Sequence, residues 1–260
     1  MANLPEVIFF SLIGGVFSLI GGVLLLYRKK TADILAEYAT PFAAGALLAA
    51  AFLDLLKEGV EHGEGETVLQ WALGGLLFFF LLESLLTWFR HHHEHNDKGK
   101  NDKHVDPTVG LVVIGDTVHN FIDGAAIAAA FLVSVPTGIV TTMAVAAHEI
   151  PQEIGDFGLM LKKGMSRSHV LLVNILSALA TTVAAILFFQ IGRENESLIL
   201  ALLGLTAGFF VYIAVSDIIP AIHDSKNRRS LNIKSLLLIL GVVLVGVITS
   251  VAHGYIDAGH

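Results

Sequence analysis

Apolar runs of about 20 residues alternate with short polar stretches along this chain, and the alternation occurs eight times. A run of that length makes a helix able to cross a hydrocarbon layer of about 30 Å. The pattern predicts membrane-spanning helices over residues 5–27, 37–56, 68–89, 108–133, 136–161, 168–191, 198–220 and 235–255. The expected fold is an all-α integral membrane protein, a single transmembrane domain over residues 1–260. The first run follows "MANLPE", which offers no basic leader and no small-residue cleavage site, so it reads as a retained helix.

Composition agrees, with 54% hydrophobic residues and only 15% charged. The mean hydropathy of +0.72 is too high for a soluble domain of 260 residues. There is no cysteine, which excludes disulfides and thiolate ligands. The net charge of −7 gives no footing for nucleic acid.

The basic residues fix an expected orientation. Arg28, Lys29 and Lys30; Arg90, Lys98, Lys100 and Lys103; Lys162, Lys163 and Arg167; and Lys226, Arg228, Arg229 and Lys234 follow the first, third, fifth and seventh spans. These are 14 of the 16 Lys and Arg. The positive-inside rule then places those loops in the cytoplasm and both termini outside, in a multi-pass protein of the plasma membrane, the inner membrane of a bacterium. The opposite face carries Glu58, Glu61, Glu64, Glu66, Glu194 and Glu196, which would steer cations or simply keep those loops soluble. A His-rich tract, residues 90–106, reads as a cytoplasmic loop between the third and fourth spans that could bind transition metals through neutral imidazoles.

Ionisable residues are expensive inside a bilayer, on the order of 3 kcal/mol each, so clusters of them mark chemistry. The fourth span carries Asp116, His119, Asn120 and Asp123 at helical spacing, and the fifth carries His148, Glu149, Gln152, Glu153 and Asp156. A tight turn at residues 134–136 makes the two spans antiparallel neighbours. His119 precedes Ser134 by 15 residues and His148 follows it by 14, so both lie about 20 Å from the turn at 1.5 Å per residue. The two polar stripes therefore meet at one level. Imidazole and carboxylate together suit Zn²⁺, Fe²⁺ or Mn²⁺, and the lack of sulfur suits exchangeable rather than locked coordination. Pro151 frees a backbone carbonyl near Ala147, while Gly115, Gly124, Gly155 and Gly158 permit close helix approach.

"HNFIDG" (residues 119–124) and "HEIPQEIGD" (residues 148–156) resemble the helix 4 and helix 5 signatures of the ZIP (Zrt/Irt-like protein) family of divalent metal transporters, the second in the branch written HExPHExGD. The resemblance covers the whole chain. It implies a 3+2+3 arrangement, with helices 1–3 and 6–8 as inverted repeats around helices 4 and 5. "AGALLAAAFLDLL" (residues 44–56) and "AGFFVYIAVSDII" (residues 207–219), each with an acidic residue nine positions after the Gly, accord with such a repeat. It also implies uptake of Zn²⁺, or of Fe²⁺, Mn²⁺ or Cd²⁺, toward the cytoplasm, without a required cofactor, and a homodimer. His119, Asn120, Asp123, His148, Glu149 and Gln152 would be the metal-site residues, with two neighbouring ions and Asp123 and Glu149 as bridges. Glu153 belongs to the same candidate set. Gln152 replaces the His of the branch pattern, and Ile122-Asp123 replaces the Pro-Glu found in other members.

On this reading Asp54 and the acidic loops attract ions, while Asp156 and the His-rich loop receive them. Asp217 is a further pathway candidate or a cap at the inner end of helix 7. The alternative is an intramembrane zinc-dependent hydrolase, because "HEIPQ" imitates HExxH apart from Gln152. A third reading is a metal sensor whose working part is the His-rich loop.

Overall fold

A computed structural model describes residues 2–61, 65–94, 108–223 and 228–257. These residues form eight long helices, with no strand among them. Helix α1 covers Leu4–Tyr27 with a 3-10 turn at Val16–Leu19; α2 covers Lys29–Glu61 with a π turn at Ala50–Leu55. Then come α3 (Gly65–Glu94), α4 (Thr108–Val133), α5 (Val135–Lys162) and α6 (Arg167–Gly192). Helix α7 runs through Glu196–Tyr212, a π turn at Ile213–Ile218 and Ile219–His223, and α8 covers Arg228–Asp257.

Most helices outrun the apolar runs that announce them, because a helical backbone goes on satisfying its own hydrogen bonds after the oily residues stop. Helix α3 continues through Arg90 to Glu94, so the first part of the His-rich tract is helical rather than loop. The remainder of that tract, residues 95–106, lies outside the described residues.

Side-chain caps set several starts. Asn3 and Glu6 exchange two 3.0 Å hydrogen bonds in a capping box ahead of α1. Ser134, the single residue between α4 and α5, accepts a 3.1 Å hydrogen bond from the Thr137 amide. Asn195 caps α7 through the Leu198 amide at 3.0 Å.

Seven of these helices are long and apolar enough to cross a membrane. The exception is α5. Its carboxylates, Glu149, Glu153 and Asp156, break the run that the sequence suggested, and it sits among α1, α2, α4 and α6. Helices α3 and α8 are peripheral, with 17% and 11% of their most apolar stretches buried against 67% for α7. Their outward Leu, Val, Phe and Trp side chains are what lipid demands.

The helices are held close by reciprocal glycines. A Cβ at Gly45 in α2 would lie 2.0 Å from the Leu238 carbonyl oxygen, and one at Gly241 in α8 would lie 2.2 Å from that of Phe42. Helices α7 and α3 repeat the device: Gly208 would meet the Ala72 carbonyl oxygen at 1.9 Å and Gly75 that of Leu205 at 2.2 Å. In each case the carbonyl belongs to the residue three before the opposing glycine. The π turns of α2 and α7 follow Gly45 and Gly208 at the same register, and each contains the acidic residue, Asp54 or Asp217. The paired sequence segments therefore occupy equivalent places in the fold.

Of the glycines singled out from the sequence, Gly124 does permit close approach, since a Cβ there would meet the Thr181 carbonyl oxygen at 2.0 Å. Gly155 and Gly158 do not. Nothing lies within 4 Å of a Cβ at Gly155, and Gly158 would make only an ordinary 3.6 Å contact with Leu25. Gly115 lines a cavity.

Candidate metal centre

Helical spacing puts His119 and Asp123 one turn apart on α4, and the one-residue turn at Ser134 folds α5 back beside them. The Nε2 atoms of His119 and His148 lie 3.2 Å apart. Glu149 Oε1 is 3.2 Å from His119 Nε2 and 3.7 Å from His148 Nε2. Asp123 Oδ2 is 3.3 Å from His148 Nε2 and 3.8 Å from His119 Nε2. All four side chains are buried.

These separations decide what the group can do. A tetrahedral ion with ligands at about 2.0–2.1 Å has ligand–ligand edges about 1.6 times longer, near 3.3 Å. The contacts just given are five of the six edges of such a figure, and the four atoms lie within 4.8 Å of one another. Asp123, although shorter than Glu, reaches the imidazoles. His148 Nδ1 lies 3.0 Å from the Ala144 carbonyl oxygen. A carbonyl can only accept, so that nitrogen carries a proton, and in the neutral imidazole Nε2 presents its lone pair to the group. Neither carboxylate has a hydrogen-bond donor in good geometry on either oxygen. Buried carboxylates so placed call for a cation.

The other sequence candidates fall into distinct places. Asn120 is fully buried, and its amide spans two helices: Nδ2 donates to the main-chain oxygen and Oδ1 of Asp116, each at 3.1 Å, and Oδ1 accepts from Thr181 of α6 at 2.9 Å. Gln152 and Asp156 line a cavity of about 160 Å³ together with His119, Asp116 and Glu83. Glu153 is buried beside Glu149 and Asp116. Asp54 is buried in the π turn of α2, which packs on α5 and α7, and it belongs to neither carboxylate-containing group around Glu149. The side chain of Asp217 lies outside the described residues.

Some participants left no mark in the sequence. Phe79 of α3 and Phe209 of α7 pack with ring centres 4.3 Å apart, tilted by 53°, and stand 5.8 and 5.2 Å from the His119 ring, while Phe210 lies 6.1 Å from His148. They form an apolar wall that keeps water from that side and strengthens charge interactions inside. Aromatics within apolar helices carry no signal of this. The Tyr212 hydroxyl donates to Glu83 Oε2 and ties α7 to α3 at the cavity.

Fold and site thus define a polytopic helical membrane protein with a buried His/carboxylate group fit for a divalent cation. Comparison with known sequences adds the family: the ZIP Zinc transporter family matches residues 5–110 and 90–249, and the chain belongs to it. Zinc transporter ZIP13 of Pongo abelii is 32% identical over 220 residues, 78% of this chain and 64% of that protein. Zinc transporter ZIP4 of Mus musculus is 43% identical over 122 residues, 46% of this chain and 18% of that protein. Zinc transporter ZIP10 of Danio rerio is 38% identical over 136 residues, 52% and 16% of the two chains. The chain therefore spans less than a fifth of the length of the last two relatives.

Proposed function

We propose that this chain is a secondary transporter of divalent transition-metal ions, foremost Zn²⁺, and that ions pass toward the cytoplasm through the His119/Asp123/His148/Glu149 group between α4 and α5. The single observation that carries this reading is the near-tetrahedral spacing of four buried ligand atoms from adjacent helices. Two imidazoles and two carboxylates, without thiolate, replace the ion's water and still let it leave. The cavity at His119 offers the way onward, past Gln152 and Asp156. The charge bias of the loops supports the route: α5 ends at Lys162, in a basic loop read as cytoplasmic, and Asp156 lies toward that end. The same bias supports a reading in which both termini lie outside the plasma membrane.

The hydrolase reading asks for a glutamate free to activate water and a second histidine one turn after the first. Here Gln152 occupies that turn, and Glu149 stands among the ligands with Oε1 3.2 Å from His119.

The test is Zn²⁺ uptake into sealed proteoliposomes holding a fluorescent zinc indicator. The parent chain fills the vesicles, and a His119→Ala/Glu149→Ala variant, incorporated to the same level, does not. Equal uptake by both removes the group from the pathway.

A further inference from the structure

Helices α2 and α8 pack together through Gly45 and Gly241, and both begin on the basic side of the molecule. Between their early turns and the end of α7 lies a cavity of about 140 Å³, lined chiefly by Glu37, Thr40, Pro41, Ile218, Ile222 and Lys234. Lys234 comes six residues after the start of α8 and Glu37 eight after the start of α2, about 9 and 12 Å along the two axes. The most apolar part of α8 begins at Ser230. The cavity therefore stands near the level where hydrocarbon gives way to lipid headgroups.

A lysine near the end of a spanning helix ordinarily extends its ammonium into the headgroup layer. Lys234 does otherwise. Its side chain is only 15% exposed, and its ion-pair partner among the described residues, Glu37 Oε1, is 3.6 Å away, longer than a hydrogen bond. A covered ammonium with three donors and so loose a partner needs oxygen atoms. The cavity beside it has room for them, at roughly ten times the volume that admits one water. The Thr40 hydroxyl already donates to the Ala36 carbonyl oxygen at 2.6 Å, which leaves Lys234 as the side-chain donor of the lining. Charge around the cavity points the same way. Arg28, Lys29 and Lys30 stand exposed where α2 begins, and Arg228 and Arg229 open α8. With Lys234 these are six cations against two carboxylates, Asp33 and Glu37, over residues 28–37 and 228–234. Basic clusters just beyond spanning helices attract anionic headgroups.

We propose that the cavity between α2, α7 and α8 takes the phosphate of an anionic phospholipid headgroup, with Lys234 as its principal donor. The inference stands on the membrane-spanning fold and is independent of the metal centre. Lys234 turns its ammonium from Glu37 to the phosphate oxygens, and Glu37, whose side chain is 45% exposed, moves aside into water. Pro41, Ile218 and Ile222 supply apolar surface for the carbons next to the headgroup. An anionic lipid is favoured over a zwitterionic one because the added cation of a choline gains nothing beside so many positive charges. Ile218 closes the π turn of α7, so a bound headgroup braces that turn against the early turns of α2 and α8.

The test follows lipid binding to the purified, detergent-solubilised protein by native mass spectrometry, with phosphatidylglycerol or phosphatidylcholine carrying the same acyl chains. The parent binds phosphatidylglycerol in preference. Lys234→Gln weakens that binding about tenfold, the worth of one hydrogen bond between charged groups, whereas Lys234→Arg retains it. Glu37→Gln removes the competing carboxylate and tightens it. Lys29→Gln, which removes an exposed cation of the same patch, changes it much less. The proposal is overturned if Lys234→Gln, folded by circular dichroism and gel filtration, binds phosphatidylglycerol as the parent does. It is equally overturned if Lys29→Gln loses as much, since the preference is then diffuse charge. Displacement of the lipid by an excess of inorganic phosphate would assign the cavity to free phosphate and sink the lipid reading. Should Lys234→Gln fail to fold, the direction of the change in Glu37→Gln decides alone.

Discussion

His119 and His148 stand 29 positions apart in the chain, and their Nε2 atoms meet at 3.2 Å inside the helix bundle. Two nitrogens that close, flanked by Asp123 and Glu149, share either a proton or a metal ion. In the neutral imidazole the Ala144 carbonyl leaves His148 Nε2 bare, so the pair is set up as an acceptor for a cation.

Protons and metal ions compete for the same imidazole lone pairs, so uptake should depend on pH. An imidazolium cannot ligate, and acidification therefore lowers the rate of Zn²⁺ uptake at fixed free Zn²⁺. The check is initial uptake between about pH 5.5 and 8, the range in which imidazoles change charge. The rate should rise with pH; a flat profile would count against imidazole ligation.

Asn120 and Thr181 hold α4 to α6 through a 2.9 Å hydrogen bond, and the Asn120 amide also fixes Asp116. Thr181→Val leaves the Asn120 oxygen buried without that donor, at a cost of about 1–3 kcal/mol. Supports of this kind typically alter metal affinity by about 10–100-fold. Calorimetric Zn²⁺ titration should show weaker binding by Thr181→Val with the number of sites unchanged.

Close helix approach gives a paired stability test. Gly124→Ala would drive a methyl group to 2.0 Å from the Thr181 carbonyl oxygen and 2.8 Å from the Ala184 Cβ, so α4 and α6 must separate. Overpacking of that kind costs about 1–3 kcal/mol. Gly155→Ala meets nothing within 4 Å and should gain about 0.5–1 kcal/mol from helix preference. Thermal unfolding in detergent should therefore lower the Tm of the first variant and leave or raise that of the second.

The hydrogen bond from Tyr212 to Glu83 ties α7 to α3 beside the cavity. Tyr212→Phe should reduce stability by about 1 kcal/mol, the usual net worth of such a bond. A double-mutant cycle with Glu83→Leu, which removes the acceptor, should show coupling. Strict additivity would mean that the contact contributes nothing.

Much of this arrangement could be read from residue spacing. The 3.6-residue period put His119 with Asp123 and His148 with Gln152, and the turn at Ser134 set the two histidines at equal depth. The repeat was visible as Ala-Gly followed by a distant Asp, and its structural counterparts are the π turns and reciprocal glycines. What spacing could not give is the choice each side chain makes among neighbours from distant helices. Asn120 shares a stripe with His119, yet its amide is turned to Asp116 and to Thr181, 61 positions later and with no charge to announce it. Gly155 lies on the same helix as the site, but its open side shows only once the neighbouring helices are placed. Glu149 belongs to two groups, a fact that depends on the side-chain positions of Asp116 and Glu153 together.

The most direct test of the account is zinc K-edge X-ray absorption on the purified protein loaded with one Zn²⁺ per chain. It predicts a first shell of two imidazole nitrogens and carboxylate oxygens at about 2.0–2.2 Å, with one imidazole lost in His148→Ala. A shell without imidazole, or one unchanged in His148→Ala, would contradict it.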